Sequence, residues 1–430
     1  MRSVTIYLIG IVILILMCVG VYLLDYTILT TPKPEREPKR VILITPDTLR
    51  YDRVTPELMP NVCEWANDAT QYKYALSTSD WTSPSFAAMM TGEYPKDVKH
   101  YDPPPVDHVD WIANGTPTIA RVLHDQGFQT VAFVSSTTVG MTGGFAQGFD
   151  EFYRRDSSET KFPSSAAIFS DAMDWLDAHP DEDVFMWLHT WDCHFPYNPP
   201  KPDRRRMPDI EGRWDYEWDP WLATVRTGEL TFTDAEMERG EELYNQGVSA
   251  YDRRLGRFLK WQEENYPAMV VFVSDHGEEF WEHGGFEHGH TMYDELLHVP
   301  LIVKEPGGKA AFVANSISTR QVYDLVLDPN LTWEGRLVYI PLFHDHNIFG
   351  DPLYAVTYGG FRYILNRKTG AGELYDYIND PGMQIDLADS MPEKCAELKA
   401  RIEAWSAGTP LPPPSEEMLE QLKSIGYLGG

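Results

Sequence analysis

The chain has 430 residues and a formal net charge of −29, from 36 Lys and Arg against 65 Asp and Glu. Its length suggests roughly two or three domains, and its hydrophobic content of 43% is enough for a large buried core. So acidic a chain is not expected to bind nucleic acid, because a phosphate backbone is bound by dense Lys and Arg.

The first feature along the chain is a run of 21 residues without a charge, residues 4–24. A helix of this length, at about 1.5 Å per residue, spans the ~30 Å hydrocarbon core of a bilayer. A cleaved signal peptide has a shorter apolar core than this run and a small-residue cleavage site, and the sequence shows neither feature. We therefore expect a transmembrane anchor over residues 1–25 and a Pro- and charge-rich linker over residues 26–40. Positive charges flank the run on both sides, and their larger number after it favours an inner domain.

Short apolar runs alternate with amphipathic segments over the next part of the chain. The runs are residues 40–47, 129–136, 183–194, 268–279 and 298–307. Such alternation predicts an α/β fold with a largely parallel sheet buried on both faces. Ligands of these sheets bind beyond the carboxyl ends of the strands. We expect an active site there, because four polar side chains fall at those ends: Asp47, His194, Asp275 and His276.

Residues 198–237 form a Pro-, Trp- and charge-rich segment without clear periodicity, which is either a cap over a substrate site or a solvated loop. Short runs with Gly turns then predict a small antiparallel subdomain with a helical tail, over residues 346–430. The catalytic core is accordingly expected over residues 41–345. The four cysteines are far apart, with no Cys-x-x-Cys pair, so no disulfide framework is predicted.

The densest chemical signal is SDHGEEFWEHGGFEHGH, residues 274–290. Asp275 and His276 directly follow an apolar run, a position from which both side chains can bind one ion. A carboxylate with an imidazole suits zinc or manganese better than an all-oxygen calcium site. The alternative is a polar loop with incidental histidines.

A second signal is SDWTSPSFAAMM, residues 79–90, which indicates the start of a helix. Ser83 is predicted as its N-cap and Pro84 as its first helical residue. Thr82 is then either a lead-in residue or a nucleophile held at the helix N-terminus.

Together these segments resemble the sulfatase-like family of the alkaline phosphatase superfamily. The similar stretches follow the family's order and include VILITPDTLRYD, WTSPSFAAMMTGEYP, LHTWDCHFPYNPP, SDHGEEFWEHGGFEHGH and ELYDYINDPGMQIDLAD. The resemblance covers about residues 41–405. It implies an alkaline-phosphatase-like α/β/α sandwich with a small C-terminal antiparallel subdomain.

The resemblance also implies roles for particular residues. Its metal-binding set is Asp47, Thr82, Asp275 and His276, with Thr82 as the nucleophile. His194 and His288 would act in catalysis and substrate binding, by contacting the transferred group or by binding a second ion. His290 is a nearby alternate to His288 for substrate binding.

The departures from the family pattern narrow the expected chemistry. Sulfatases carry a Cys or Ser in a C/S-x-P-x-R motif, which is converted to formylglycine. Here Thr82 takes that position and Phe86 replaces the arginine, and threonine cannot become formylglycine. Thr48 replaces the family's second acid, which disfavours a calcium site. The set resembles the threonine-nucleophile branch, which includes phosphoethanolamine and glycerol-phosphate transferases.

The expected function is therefore hydrolysis or transfer of a phosphate ester through Thr82, with zinc or manganese favoured over calcium or magnesium. A true sulfatase without formylglycine and an inactive membrane-tethered binding protein remain as alternatives. The branch also implies an envelope lipid or glycan substrate. That implication favours an extracytoplasmic domain, against the charge count around the anchor.

Overall fold

A computed structural model describes residues 37–98, 111–136, 139, 143–155, 164–197, 199, 232–328, 342–346 and 351–409. The expected anchor, most of the linker, most of the segment 198–237 and the tail after residue 409 lie outside these residues. Within the described ranges, no helix is both long enough and apolar enough to cross a membrane.

Fourteen strands occur in the described residues. In chain order they are β1 Arg40–Pro46, β2 Thr70–Leu76, β3 Gln129–Val134, β4 Glu151–Arg154, β5 Val184–Thr190, β6 Met269–Val273, β7 Glu279–Phe280, β8 Phe286–Glu287, β9 His298–Lys304, β10 Ala311–Ser318, β11 Leu342–His346, β12 Leu353–Tyr358, β13 Phe361–Asn366 and β14 Gly372–Asp376. The α-helices are Pro60–Trp65, Thr82–Thr91, Ile119–Asp125, Ser165–Ala178, Asp234–Asn265, Asp294–Leu297, Val322–Leu327 and Pro392–Ser406.

The central sheet has eight strands in the order β10-β2-β9-β6-β1-β5-β3-β4. Its pairings are parallel except where β9 meets β2 and β6. The expected α/β core is confirmed, although the sheet is mixed. The chain between β6 and β9 carries only the β7–β8 hairpin and the four-residue helix Asp294–Leu297. Without a long crossover helix, β9 returns antiparallel.

Both faces of the central sheet are covered, and β1 shows why. Ile42 and Ile44 pack in one buried cluster, whereas Val41 and Leu43 pack in another on the opposite side. Successive side chains of a strand point to opposite faces, so a strand buried on both faces is apolar throughout. Each such side chain contributes about 1.5–3 kcal/mol on burial.

The second sheet is small and antiparallel, in the order β11-β12-β13-β14, as expected for a C-terminal subdomain. The helix Pro392–Ser406 packs on it, and the rings of Phe343 and Trp405 stack with their centroids 4.6 Å apart. The expected division between residues 345 and 346 falls inside β11.

The helix Thr82–Thr91 starts two residues earlier than expected. Trp81 is its N-cap residue, with extended φ −149° and ψ 151°, and Thr82 is the first helical residue. The prediction of Ser83 as N-cap and Pro84 as the first helical residue is therefore wrong. Pro84 is the third residue, where its missing N–H is still one that a helix leaves unpaired. All ten residues of this helix are buried.

Ser77, directly after β2, connects three parts of the fold. Its hydroxyl lies 3.0 Å from Ser85 Oγ and donates to the Asp275 carbonyl oxygen. Its own carbonyl accepts from His344 Nδ1, on β11. Burial lowers the pKa of His344 to about 3, so this imidazole is neutral at physiological pH. The second sheet thus contacts the segment that joins β2 to the helix Thr82–Thr91.

Candidate metal and nucleophile site

Three residues predicted as metal ligands meet at the end of the central sheet. Asp47 follows β1, and Asp275 and His276 follow the neighbouring β6. All three are fully buried, and one potential ligand atom from each lies within 4.8 Å of the others. His276 Nε2 is 3.7 Å from Asp47 Oδ1 and 3.4 Å from Asp275 Oδ2.

The donor set fits a divalent cation. Both carboxylate oxygens of Asp47 and Oδ2 of Asp275 are buried without a hydrogen-bond partner among the described residues. Burying two adjacent carboxylates in this way costs several kcal/mol unless a cation compensates them. His276 Nδ1 lies 2.9 Å from the Gly277 carbonyl oxygen, so this nitrogen carries the ring proton and Nε2 offers its lone pair. Metal-binding histidines are commonly oriented in this way.

The pKa values of the two carboxyl groups are shifted in opposite directions. Burial, together with the charge of Asp47, raises the pKa of Asp275 to about 7. Burial also acts to raise the pKa of Asp47, but the charges of His194 and His189 hold it below its ordinary value. Without a bound cation, Asp275 is therefore about half protonated near pH 7, whereas Asp47 is ionised.

Gly277 explains the D-H-G sequence. A Cβ at this position would lie 1.9 Å from the Glu295 carbonyl oxygen, so only glycine fits. The Gly277 N–H donates to the Leu296 carbonyl oxygen at 2.8 Å. This close backbone approach fixes the segment immediately after the two predicted ligands.

Thr48 has a positive φ of 57°, an uncommon conformation for a β-branched residue. Its N–H donates to Asp275 Oδ1 at 3.2 Å, and its carbonyl oxygen accepts from the Tyr244 hydroxyl at 2.8 Å. The strained backbone therefore helps to orient Asp275, a predicted ligand that follows the neighbouring strand β6.

Thr82 lies beside the three predicted ligands. Its Oγ1 is 3.2 Å from His276 Nε2, and the residue is 1% exposed. As the first residue of its helix, Thr82 stands where unpaired backbone N–H groups and the positive end of the helix dipole favour an anion. The first backbone bond of this helix is Ser85 N–H to the Trp81 carbonyl oxygen.

His194 and His288 lie next to this group. The ring centroids of His276 and His288 are 4.4 Å apart, and those of His194 and His288 are 4.9 Å apart. His194 Nδ1 contacts the Phe195 carbonyl oxygen, and His288 Nδ1 is 2.7 Å from Glu278 Oε1. In each ring Nδ1 is therefore the nitrogen that these oxygens engage.

His290 is placed differently from the other predicted residues. Its Nε2 is 2.8 Å from Glu279 Oε2, in a pair adjoining the β7–β8 hairpin. The structure thus brings together Asp47, Thr82, His194, Asp275, His276 and His288, and it engages His290 elsewhere.

Sequence reasoning missed two buried residues of the site. Glu278 orients His288, and its Oε2 also accepts from the Tyr197 hydroxyl at 3.0 Å. His189, on β5, places Nε2 3.5 Å from Asp47 Oδ2. Two sequence features could have pointed to them. Glu278 is an acid two residues after His276, and His189 is a histidine inside a largely apolar strand.

A second cluster of possible ligands, Glu279, His283 and Glu295, lies in the same loop region. His283 Nδ1 is 2.6 Å from Glu295 Oε1, and His283 Nε2 is 3.0 Å from the Met383 carbonyl oxygen. Both ring nitrogens thus face acceptors, so His283 is a cation that donates twice. This cluster links the loop after His276 to the C-terminal subdomain and leaves no lone pair on His283 for a metal.

We expect His283→Gln to destabilise the protein more at pH 6 than at pH 10. Burial alone would lower the pKa of His283, but its hydrogen bond to Glu295 and the charge of Glu295 raise it to about 9. A raised pKa stabilises the fold fully below the unfolded value of about 6.5, and this contribution is lost as the pH rises through about 9. After allowance for solvent screening, we expect the variant to be about 2 kcal/mol less stable than the wild type at pH 6.

The measurement is the thermal unfolding of wild type and variant at both pH values. His124→Gln is the matched control, because His124 is half-exposed on the surface. If His283→Gln lost the same stability relative to wild type at both pH values, the substitution would act through packing and not through the charge.

Comparison with known proteins identifies the family. The family model described as Sulfatase matches residues 39–328, about two thirds of the chain. The chain belongs to the sulfatase family. The match extends from β1 to the helix Val322–Leu327 and includes every residue predicted for the site, from Asp47 to His290.

Individual relatives are distant. The uncharacterized sulfatase YidJ of Escherichia coli is 27% identical over 172 residues, which are 35% of this chain and 34% of that protein. The N-acetylglucosamine-6-O-sulfatase of Bacteroides thetaiotaomicron is 30% identical over 26% of this chain and 22% of that protein. These matches thus span about a third or less of the relatives' length. Among solved structures, the phosphonate monoester hydrolase of Agrobacterium radiobacter has a TM-score of 0.68 and 15% identity, over 86% of this chain and 96% of that one. This likeness shows a shared fold.

Proposed function

We propose that this sulfatase-family protein is a metal-dependent enzyme that hydrolyses or transfers phosphate esters through a covalent phospho-Thr82. The observation that carries the proposal is the position of Thr82 Oγ1, at a helix N-terminus and 3.2 Å from His276 Nε2 in the predicted metal group. A threonine hydroxyl is a weak nucleophile unless its environment activates it. Here the helix end, and the cation that the buried carboxylates would hold, supply such an environment.

The proposed metal ligands are Asp47, Thr82, Asp275 and His276, and their oxygen and nitrogen donors favour zinc or manganese. When bound, the ion supplies charge that stabilises the Thr82 alkoxide and polarises the phosphoryl oxygens. The unpaired N–H groups at the start of the helix Thr82–Thr91 hold the phosphoryl oxygens. These groups favour an anion at this position without any side-chain charge.

The reaction has two displacements at phosphorus. Thr82 Oγ1, as the alkoxide, forms a bond to phosphorus while the bond to the leaving alcohol breaks, and His194 or His288 donates a proton from Nε2 to the alcohol oxygen. Water or a second alcohol then attacks phosphorus, the same imidazole takes its proton, and the bond to Thr82 Oγ1 breaks. Glu278, which accepts from His288 Nδ1, keeps Nε2 directed at the reacting group.

Phosphate chemistry is favoured over sulfate chemistry by the side chain itself. Formylglycine hydrate has a second hydroxyl, through which it eliminates sulfate. Thr82 has one hydroxyl, so a sulfated Thr82 would require direct attack at sulfur. A phospho-Thr82 is instead released by in-line attack at phosphorus, which a metal and hydrogen-bond donors stabilise.

Sulfate-ester hydrolysis without formylglycine is the second candidate. The names of the Escherichia coli and Bacteroides thetaiotaomicron relatives support it, and the latter name also points to glycan substrates. The phosphonate monoester hydrolase that shares the fold supports phosphorus chemistry. An inactive binding protein is the third candidate, and the clustering of the predicted catalytic residues weighs against it.

We also infer that residues 4–24 anchor the protein in a membrane by a single helix, because this run is long, apolar and uncharged. A catalytic domain on the outer side would meet envelope lipids or glycans as substrates. Long domains cross the membrane largely regardless of the charge balance around the helix.

We expect purified full-length protein to turn over aryl phosphates or aryl phosphonates at least roughly tenfold faster than the matching aryl sulfate. The comparison uses p-nitrophenyl phosphate, p-nitrophenyl phenylphosphonate and p-nitrophenyl sulfate, which share p-nitrophenol as the leaving group. The same assays with added zinc, manganese, calcium or magnesium identify the metal. Faster turnover of the sulfate would favour the second candidate, and turnover of none would favour the third.

A further inference from the structure

His189 is a buried histidine that the proposed mechanism does not use. It lies on β5, where it pairs in register with Thr45 of β1, two residues before Asp47. Its side chain is fully buried. Phe86, from the helix that carries Thr82, packs edge-on against the imidazole with centroids 4.8 Å apart. His189 therefore lies between the strand that carries Asp47 and the helix that carries the nucleophile.

The two nitrogens of His189 face different acceptors. Nδ1 is 2.9 Å from the Thr45 carbonyl oxygen, which can only accept, so Nδ1 carries a proton. Nε2 has no hydrogen-bond partner among the described residues, and it faces Asp47 Oδ2 at 3.5 Å. This separation is at the outer limit of a hydrogen bond.

The two carboxylate oxygens of Asp47 face different residues. Oδ1 is the oxygen 3.7 Å from His276 Nε2, on the side of the predicted metal group. Oδ2 is the oxygen that faces His189, and neither oxygen has a hydrogen-bond partner in the described part of the chain. A carboxylate held at one oxygen presents the other in a fixed direction, which is how residues behind metal ligands raise metal affinity.

We propose that His189, with a hydrogen on both ring nitrogens, is a positioning residue of the metal centre, which holds Asp47 through Oδ2 so that Oδ1 faces Asp275 and His276. It acts through Asp47 and touches neither the substrate nor the reacting atoms. The Thr45 carbonyl and Phe86 fix the plane of the imidazole, so that Nε2 stays directed at Asp47. The proposal rests on the proposed function, since it assumes that Asp47 binds a metal.

Two amide substitutions separate the two nitrogens of His189. An asparagine amide at this position can reach the Thr45 carbonyl oxygen in place of Nδ1, but it is too short to reach Asp47. A glutamine amide can reach Asp47 Oδ2 in place of Nε2. We expect H189N to lower the affinity for Co²⁺ about 10–100-fold, as for other residues behind metal ligands, and H189Q to restore most of it.

The measurement is a Co²⁺ titration of metal-free full-length protein against a chromophoric chelator, with thermal melting to confirm folding. His298→Gln is the matched control, because His298 Nε2 also donates to a backbone carbonyl, that of Lys73, away from Asp47. The absorption spectrum of bound Co²⁺ is recorded for each variant. H189Q should keep the wild-type band positions, because His189 is not itself a ligand.

Three results would overturn the proposal. Wild-type affinity in folded H189N would show that His189 only fills space. Shifted Co²⁺ bands in H189Q would show that His189 binds the ion directly. Failure of the wild type to bind Co²⁺ would remove the proposed function along with this inference, whereas the first two results leave that function standing.

Discussion

Replacement of Thr82 by alanine removes nearly all turnover, by about 10³-fold or more, while the fold remains intact. The substitution deletes the hydroxyl 3.2 Å from His276 Nε2, and no other hydroxyl can take its place at the first residue of the helix. The N-cap is Trp81, which makes no side-chain cap bond, so the helix start does not depend on Thr82 Oγ1. Steady-state rates on the preferred aryl ester and thermal melting measure the two effects separately.

Thr82→Ser should keep a measurable part of the activity, because it retains the hydroxyl and loses only a methyl group. Mass spectrometry of acid-quenched wild-type protein should place a phosphoryl adduct at position 82. Thr91→Ala is the matched control at the other end of the same helix, where Oγ1 donates to the Ala87 carbonyl oxygen. Near wild-type rates in Thr82→Ala would exclude the covalent mechanism.

The second large effect is expected at Asp275. Asp275→Asn should abolish stoichiometric metal binding and, with it, turnover. It replaces one of two carboxylates whose unpaired oxygens face the site, and a neutral amide cannot balance the charge of a divalent ion. Elemental analysis of the purified variant and wild type gives the metal content. Asp252→Asn is the control, because Asp252 is equally buried but binds Asn61 and the Val62 N–H.

Metal affinity of the wild type should also depend on pH in a defined direction. Asp275 binds the ion as a carboxylate, and its raised pKa of about 7 means that a proton competes for it below that pH. Affinity should therefore fall by up to about tenfold per pH unit below pH 7 and level off above it. Calorimetry in buffers of different ionisation enthalpy should detect proton release near pH 7. A pH-independent affinity between about pH 5 and pH 8 would contradict the role of Asp275.

The positions of Asp47, Asp275 and His276 were predictable because the apolar periodicity of a buried strand shows where the strand ends. A parallel sheet collects its strand ends at one edge, so residues from β1 and β6 meet although more than 200 positions separate them. The helix after Thr82 was predictable from Ser and Pro preferences, but its first residue was not. Those preferences concern an isolated helix, whereas here Trp81 in extended backbone sets the start.

His189 and Glu278 could not be found in this way. His189 reaches Asp47 because β5 lies beside β1, and the order of strands in a sheet cannot be deduced from the periodicity of either strand. Glu278 is one of several acids in its loop, and only the folded loop shows which of them reaches His288. The reversed direction of β9 was missed for a related reason: an apolar run has the same pattern in parallel and antiparallel pairing.

The contact between His344 and Ser77 limits how this protein can be divided. The family match ends at residue 328, yet His344, on β11, donates to the Ser77 carbonyl oxygen, and the Ser77 hydroxyl donates to the Asp275 carbonyl oxygen. A fragment that stops at the family boundary would leave the Ser77 carbonyl without this donor, next to the segments that carry the nucleophile and a metal ligand. The smallest recombinant form able to fold with an ordered centre must therefore include the second sheet. For the same reason, exchanging that sheet between relatives would change the catalytic centre as well as the surface.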